Sequence, residues 1–285
     1  MLRPKRVALI NDLSVFGRCS LSVAAPIISV MGSQALPIPT TILSTHTGGF
    51  QNIHSVNCDG FVHKCAQQYH EIGLEIECIY SGYLANEKQF SDTLYFMNCF
   101  PKSFIVVDPV LGDNGRLYKS MDIGLVNNMR HLIKSADIIT PNPTEACLLS
   151  GTPYKSEFSD SDISLLISKI RTLTDSDIII TGIESASFGK CNLCCTNKSS
   201  TFYVPCDIKH PSYHGTGDCF AATIVGAVLR GDNLREAVCC ATDFIEYCIE
   251  LTVNSDEPQR DGIFLEHALP RLINYKPSKK IIEMR

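Results

Sequence analysis

In this 285-residue chain, Gly215-Thr216-Gly217-Asp218 is the stretch whose residue types and spacing most directly suggest chemistry. Two glycines and a threonine leave backbone N–H groups uncovered where an apolar helical pattern, Cys219-Phe220-Ala221-Ala222, begins. Unpaired amides at a helix start, together with the helix dipole, attract an anion. Asp218 stands beside that seat and would repel the anion unless it has a separate task, such as taking a proton from an attacking hydroxyl. The combination suggests phosphoryl transfer to an alcohol. A glycine cap followed by an acid in the first turn fits the same four residues equally well, so the decision rests on the rest of the chain.

Polar groups recur where buried strands end. Ser103 to Val107 is a continuous apolar, β-branched run of the kind parallel sheets require, and it leads into Asp108-Pro109-Val110-Leu111-Gly112-Asp113. Two carboxylates there resemble a magnesium site, because Mg²⁺ prefers hard oxygen ligands. A plain Asp113-Asn114-Gly115 turn accounts for Asp113 but poorly for Asp108. The strand Ala136 to Thr140 ends in Thr140, Asn142 and Glu145, although Glu145, in the first turn of a helix opened by Pro143-Thr144 and closed by Gly151, could serve the dipole alone. A third buried strand, Asp177 to Gly182, ends in Thr181. Ligands of open α/β sheets gather at such strand ends.

The elements that must position these groups alternate. Val7 to Ile10 reads as a first strand, Asn11 to Gly17 as its loop, Arg18 to Val30 as a helix that Pro26 should kink or restart, and Gln34 to Ile38 as a second strand. Pro39 to Gln51, rich in hydroxyls and carrying His46 and Gly48-Gly49, reads as a loop suited to a small polar ligand or to no ligand at all. A helix from Asp59 to Ile72 and a strand from Cys78 to Ser81 follow, ending at Gly82-Tyr83-Leu84, where Tyr83 is an aromatic lid or rim packing. Helices Ile123 to Ile133 and Ser161 to Leu173 come next. Lys190 to Thr196 and Thr201 to Pro205 then form an edge hairpin around Asn197-Lys198-Ser199-Ser200. The helix after Asp218 runs to Leu229 with a cap at Gly231, and Asn233-Leu234-Arg235-Glu236 resembles a capping box for a last helix reaching about Leu251.

With 45% hydrophobic residues the chain can bury a large core, and one domain over residues 1–285 is expected. A net charge of −5 and the lack of a basic block argue against nucleic acid. Met1 to Arg6 has the charge of a signal segment, but its apolar run stops at Asn11-Asp12. No run reaches the ~18 apolar residues of a spanning helix, so a soluble, cytoplasmic protein without a membrane partner is expected. Most of the fourteen cysteines lie in apolar patterns, which implies reduced thiols. Cys191, Cys194 and Cys195, with Cys206 nearby, could hold half a zinc site; a metal-free hairpin is the expectation.

With these motifs in place, the sequence resembles the ribokinase-like superfamily, and within it the pyridoxal (vitamin B6) kinases, over nearly its whole length. The segments that carry the resemblance are Ser44-Thr45-His46-Thr47-Gly48, Ser81-Gly82-Tyr83, Val107 to Asp113, Thr140 to Ala146 and Gly215 to Asp218. It implies an α/β three-layer sandwich, with a mostly parallel central sheet, helices on both faces and a small antiparallel edge. It also implies ATP-dependent phosphorylation of the 5′-hydroxymethyl group of pyridoxal, pyridoxine or pyridoxamine, with ATP as co-substrate. In that scheme Asp218 is the base, and Gly215, Thr216 and Gly217 form the anion hole. Asp108 and Glu145 serve Mg²⁺, while Asp113, Thr140, Asn142 and Thr181 serve the nucleotide phosphates. His46, Thr47 and Tyr83 line the pyridine pocket, and Asp12 or Ser14 stands where pyridoxal kinases carry a Ser-His-Val stretch. The resemblance implies a homodimer and leaves a monovalent cation open. A hydroxymethylpyrimidine kinase of thiamine synthesis shares the Gly-Thr-Gly-Asp turn, and a non-catalytic binding homologue would share the fold. A dinucleotide oxidoreductase is set aside, because no G-x-G-x-x-G follows the first strand.

Overall fold

The computed structural model describes residues 3–198, 200–207 and 213–283. Its strands are β1 (Arg6–Phe16), β2 (Gln34–Thr45), β3 (Ser55–Asn57), β4 (Cys78–Ser81), β5 (Phe104–Val107), β6 (Gly112–Asp113), β7 (Arg116–Leu117), β8 (Ile138–Ile139), β9 (Asp177–Ser185), β10 (Gly189–Cys195), β11 (Thr201–Pro205) and β12 (Ile282–Glu283). Ten of them form one sheet in the order β12-β11-β10-β9-β8-β5-β4-β1-β2-β3, and β6 with β7 forms a separate hairpin. The block from β9 to β2 is parallel. β3 at one edge and β10 to β12 at the other are antiparallel.

Period-2 alternation sends successive strand residues to opposite faces. Val7 and Leu9 pack with the helices α1 (Ser20–Val30), α7 (Thr216–Arg230) and α8 (Leu234–Val253). Ala8 and Ile10 pack with α2 (Phe61–Glu71), α3 (Glu87–Cys99), α4 (Ile123–Leu132), α5 (Pro143–Ser150) and α6 (Asp160–Arg171). The result is the expected three-layer sandwich.

Four elements differ from the reading of the sequence. β1 and β2 run on through segments read as loops, with a register shift between Asn11 and Leu13, so that Leu13 pairs with Ile42 and Phe16 with Thr45. Paired backbone holds this extension, in which buried polar residues (Asn11, Asp12, Ser14, Thr40, Thr41) stand beside exposed apolar ones (Val15, Ile42), so its pattern does not mark a core-facing strand. Helix α3 was not foreseen, because its buried face includes Gln89, Asp92 and Thr93 among the apolar residues and the helical stripe is blurred. α1 continues through Pro26 as one helix and does not restart there. The Asn233/Glu236 capping box is present.

In β10, Cys191 and Cys195 face one core layer and Cys194 the other, so these three thiols cannot converge on one ion. Ser199 of the predicted hairpin turn, and Met1 and Leu2, lie outside the described residues. Among the described residues no helix is long and apolar enough to cross a membrane.

Candidate active site

In the sheet order, β1 lies between β2 and β4: the chain steps one way from β1 to β2, then crosses back to β4 and onward to β9. Where strand order reverses, the crevice beyond the carboxyl ends of the strands is open to a ligand. Asn11-Asp12 and Gly82-Tyr83 flank that point, with Asp108, Thr140 and Thr181 following at the ends of β5, β8 and within β9.

The start of α7 closes the crevice. Gly215 is its N-cap at φ +82°, a conformation that favours glycine, and a Cβ there would stand 1.9 Å from the Arg18 carbonyl oxygen. The Thr216 hydroxyl donates to the Tyr213 carbonyl at 3.1 Å, which fixes the turn, and the first amides of α7 have no partner within the helix. Asp218, in that first turn, accepts from Asn11 Nδ2 at 3.1 Å and has the backbone N–H of Ser20 close by. Burial and the neighbouring Asp12 push its pKa up to about 6, against those two donors.

Asp108 is buried, and Gly217 passes close to its Oδ2. Burial and Asp218 push the Asp108 carboxyl up to about 8, while the Thr140 hydroxyl, donating at 3.1 Å, works in the opposite direction. Glu145, also buried, is raised by burial and by Asp108. Glu145 and Asn142 form a reciprocal capping box at the start of α5. Glu145 also accepts from the Leu111 N–H at 3.2 Å, and Asn142 Nδ2 donates to the Gly112 carbonyl at 2.9 Å. These two residues therefore pin the segment that follows Asp108. Asp113 is exposed and accepts from Asn114 in the β6–β7 turn. Thr181 donates its N–H to the Pro141 carbonyl at 2.9 Å, so its strand joins the same edge.

Two buried carboxyls, Asp108 raised by burial and Asp218 and Glu145 raised by burial and Asp108, with Tyr80 and Ser81 hydroxyls buried nearby and unpartnered among the described residues, make a donor set that fits a hydrated hard cation.

On the acceptor side, Asp12 and Ser14 are both buried, and the Ser14 hydroxyl donates to Asp12 Oδ2 at 3.1 Å. Ser14 is thereby turned inward. The Tyr83 backbone N–H donates to Asn11 Oδ1 at 2.8 Å, and its partly buried ring stands at the strand end. Thr47 is exposed. Both ring nitrogens of His46 are engaged: Nδ1 accepts from the Gly48 N–H at 3.1 Å, which leaves Nε2–H to donate to the Arg260 carbonyl at 2.7 Å. Burial lowers its pKa, which suits this neutral tautomer. The His46 ring packs 4.9 Å from His214, joining the loop to the start of α7.

Asn11, Ser20 and His214 belong to this constellation and were missed. The available signal was the Asn-Asp pair ending a strand, the same pattern that exposed Asp108.

A parallel sheet between two helical layers, with an anion seat and a carboxylate at its switch point, defines a ribokinase-like phosphotransferase that acts on an alcohol. The phosphomethylpyrimidine kinase family model matches residues 27–260, and the chain belongs to that family. A candidate phosphomethylpyrimidine kinase of Bacteroides thetaiotaomicron, solved in a crystal form with pyridoxal, is 34% identical, covers 98% of this chain and 100% of its own, and superposes with a TM-score of 0.91. Pyridoxal kinase from Lactobacillus plantarum is 28% identical, with 96% and 97% of the two chains covered and a TM-score of 0.86. A hydroxymethylpyrimidine/phosphomethylpyrimidine kinase of Staphylococcus aureus is 26% identical over 88% of this chain and 90% of its own.

Proposed function

We propose that this chain, acting as one domain, transfers the γ-phosphoryl group of ATP to the 5′-hydroxymethyl group of a B6 vitamer. The observation that carries the reading is Asp218, held by Asn11 at the start of α7 beside the helix's first amides, which have no partner within the helix. Asp218 takes the proton of the attacking hydroxyl. The amides of Gly215, Thr216 and Gly217 hold the negative charge of the transferring group, and the transfer otherwise depends on in-line positioning. Asp108 and Glu145 would hold Mg²⁺, which neutralises phosphate charge as it develops. Asp113, Thr140, Asn142 and Thr181 are assigned to the phosphate chain, and Asp12, Ser14, His46, Thr47 and Tyr83 to the ring side.

The pyridoxal in the 34% identical relative supports a B6 vitamer as acceptor. The matching family and the Staphylococcus aureus relative support a second reading, phosphorylation of a hydroxymethylpyrimidine. A coupled ADP-release assay over pyridoxal, pyridoxine, pyridoxamine and hydroxymethylpyrimidine separates them. Turnover on the pyrimidine alone selects the second reading, and tight pyridoxal 5′-phosphate binding without turnover on any acceptor selects a binding homologue.

The proposed setting is the cytoplasm, and the proposed assembly is a homodimer. Its contact is assigned to the exposed Val15, Ile42 and Val56 of the β1–β2–β3 extension. Val56→Glu should convert a dimer to a monomer in light scattering; an unchanged mass would place the contact elsewhere.

A further inference from the structure

We propose that Asn11 is a positioning residue for Asp218: its amide sets the rotation of the carboxylate and ties it to the two strand ends that flank the alcohol. The proposal rests on the reading of Asp218 as general base.

Asn11 is fully buried at the switch point. Its Nδ2 donates to Asp218 Oδ1 at 3.1 Å. The amide has no freedom to turn over, because its Oδ1 accepts from the Tyr83 N–H at 2.8 Å and from the Asp12 N–H at 2.9 Å. A reversed amide would set donors against both of those donors and an acceptor against a carboxylate. Gly82 packs against the same group: a Cβ there would stand 2.4 Å from Nδ2 and 2.7 Å from Oδ1, so residue 82 leaves room for Asn11 only as glycine.

A second polar group stands at the start of α1. Ser20, at φ +51°, has its backbone N–H near enough to Asp218, and its hydroxyl near enough to Asp12, to favour their charged forms. Non-glycine residues seldom hold a positive φ unless the surroundings enforce it, and such positions cluster at functional sites. The base is therefore held from β1 as well as from its own helix, with Ser20 of α1 beside it. A misplacement of about 1 Å can cost a factor of about 10² in rate, so a locked carboxylate has kinetic value.

The test is a double-mutant cycle on kcat. Asn11→Ala should lower kcat by about 10- to 100-fold and leave the KM for ATP within about twofold. If it acts through the base, the same change made in Asp218→Asn should alter the residual kcat by less than about twofold, since residues acting as a unit are non-additive. Asn11→Leu keeps the side-chain volume and removes the amide; it takes the place of Asn11→Ala in the cycle if the alanine variant does not fold. An unchanged kcat in the single variant, or losses that multiply in the double variant while Asp218→Asn itself is slow, overturns the positioning role and leaves the base intact. Near-normal turnover of Asp218→Asn overturns the base reading and this proposal with it.

Discussion

The Thr140 hydroxyl donates to Oδ1 of Asp108 at 3.1 Å across the ends of the neighbouring strands β8 and β5. The bond opposes the burial and the Asp218 charge that raise the Asp108 pKa, and so keeps the carboxylate available to a cation. Thr140→Val keeps the shape and removes the donor. The Mg²⁺ concentration for half-maximal turnover should rise on the order of 10-fold, as for other partners of ligating carboxylates, with the vitamer KM unchanged. A magnesium titration of turnover measures this, and an unshifted midpoint would separate Asp108 from the metal.

Glu145 serves two structures at once, since it caps α5 and faces Asp108. Gln is also a capping-box residue, so Glu145→Gln should fold normally. It should weaken magnesium-dependent turnover more than it weakens pyridoxal binding. A variant in which only the vitamer KM rises would move Glu145 out of the phosphate side of the site.

Asp218→Asn should lower kcat by ~10²- to 10⁴-fold, a barrier increase on the order of 3 to 5 kcal/mol. The amide is nearly the same size and removes a negative charge beside the phosphate seat, so ATP affinity should hold or improve. An aspartate present only for the helix start would instead contribute ~0.3 to 1 kcal/mol of stability with turnover little changed. Measuring kcat, ATP affinity and melting temperature on this variant decides between the two roles.

Burial raises the pKa of the Asp12 carboxyl above its ordinary value. Below the unfolded value of about 3.9, both states are protonated and Asp12 does not penalise folding. As pH rises from there through the raised folded value, the unfolded chain releases the proton more readily and the contribution is lost. Asp12→Asn should therefore raise the melting temperature at pH 8, with the gain shrinking toward pH 4. A gain that grew on acidification would contradict the sign of the shift.

Gly215 and Gly231, the two caps of α7, both have positive φ, +82° and +110°. A Cβ at 215 would meet the Arg18 carbonyl oxygen at 1.9 Å, whereas one at 231 would meet nothing within 4 Å. Gly231→Ala should cost about 1 to 3 kcal/mol from backbone strain and keep turnover. Gly215→Ala should cost more and abolish turnover, because the anion seat must shift. Denaturant unfolding and kcat on the pair measure this; equal costs would remove the clash as a factor.

Much of this protein was legible from local pattern. β4 and β11 have the expected bounds, α5 ends at the expected Gly151, and α8 opens on the expected Asn233/Glu236 capping box. Strand periodicity, glycine caps and a carboxylate beside a glycine turn are properties of consecutive residues, and their physics acts over a few positions. The order of the strands, and with it the crevice, was not available in that way. Asn11 shows why: it stands 72 residues from Tyr83 and 207 from Asp218, and its amide joins them only because β1 pairs with β4 beneath the start of α7. The extension of β1 and β2 is strand for the same reason, since backbone pairing between distant segments satisfies its N–H and C=O groups although its buried residues are polar and several of its apolar ones exposed. Residue type and spacing determined which groups could do chemistry. Tertiary packing decided which of them meet and which way each one points, because burial and hydrogen-bond partners exist only once separate strands lie side by side.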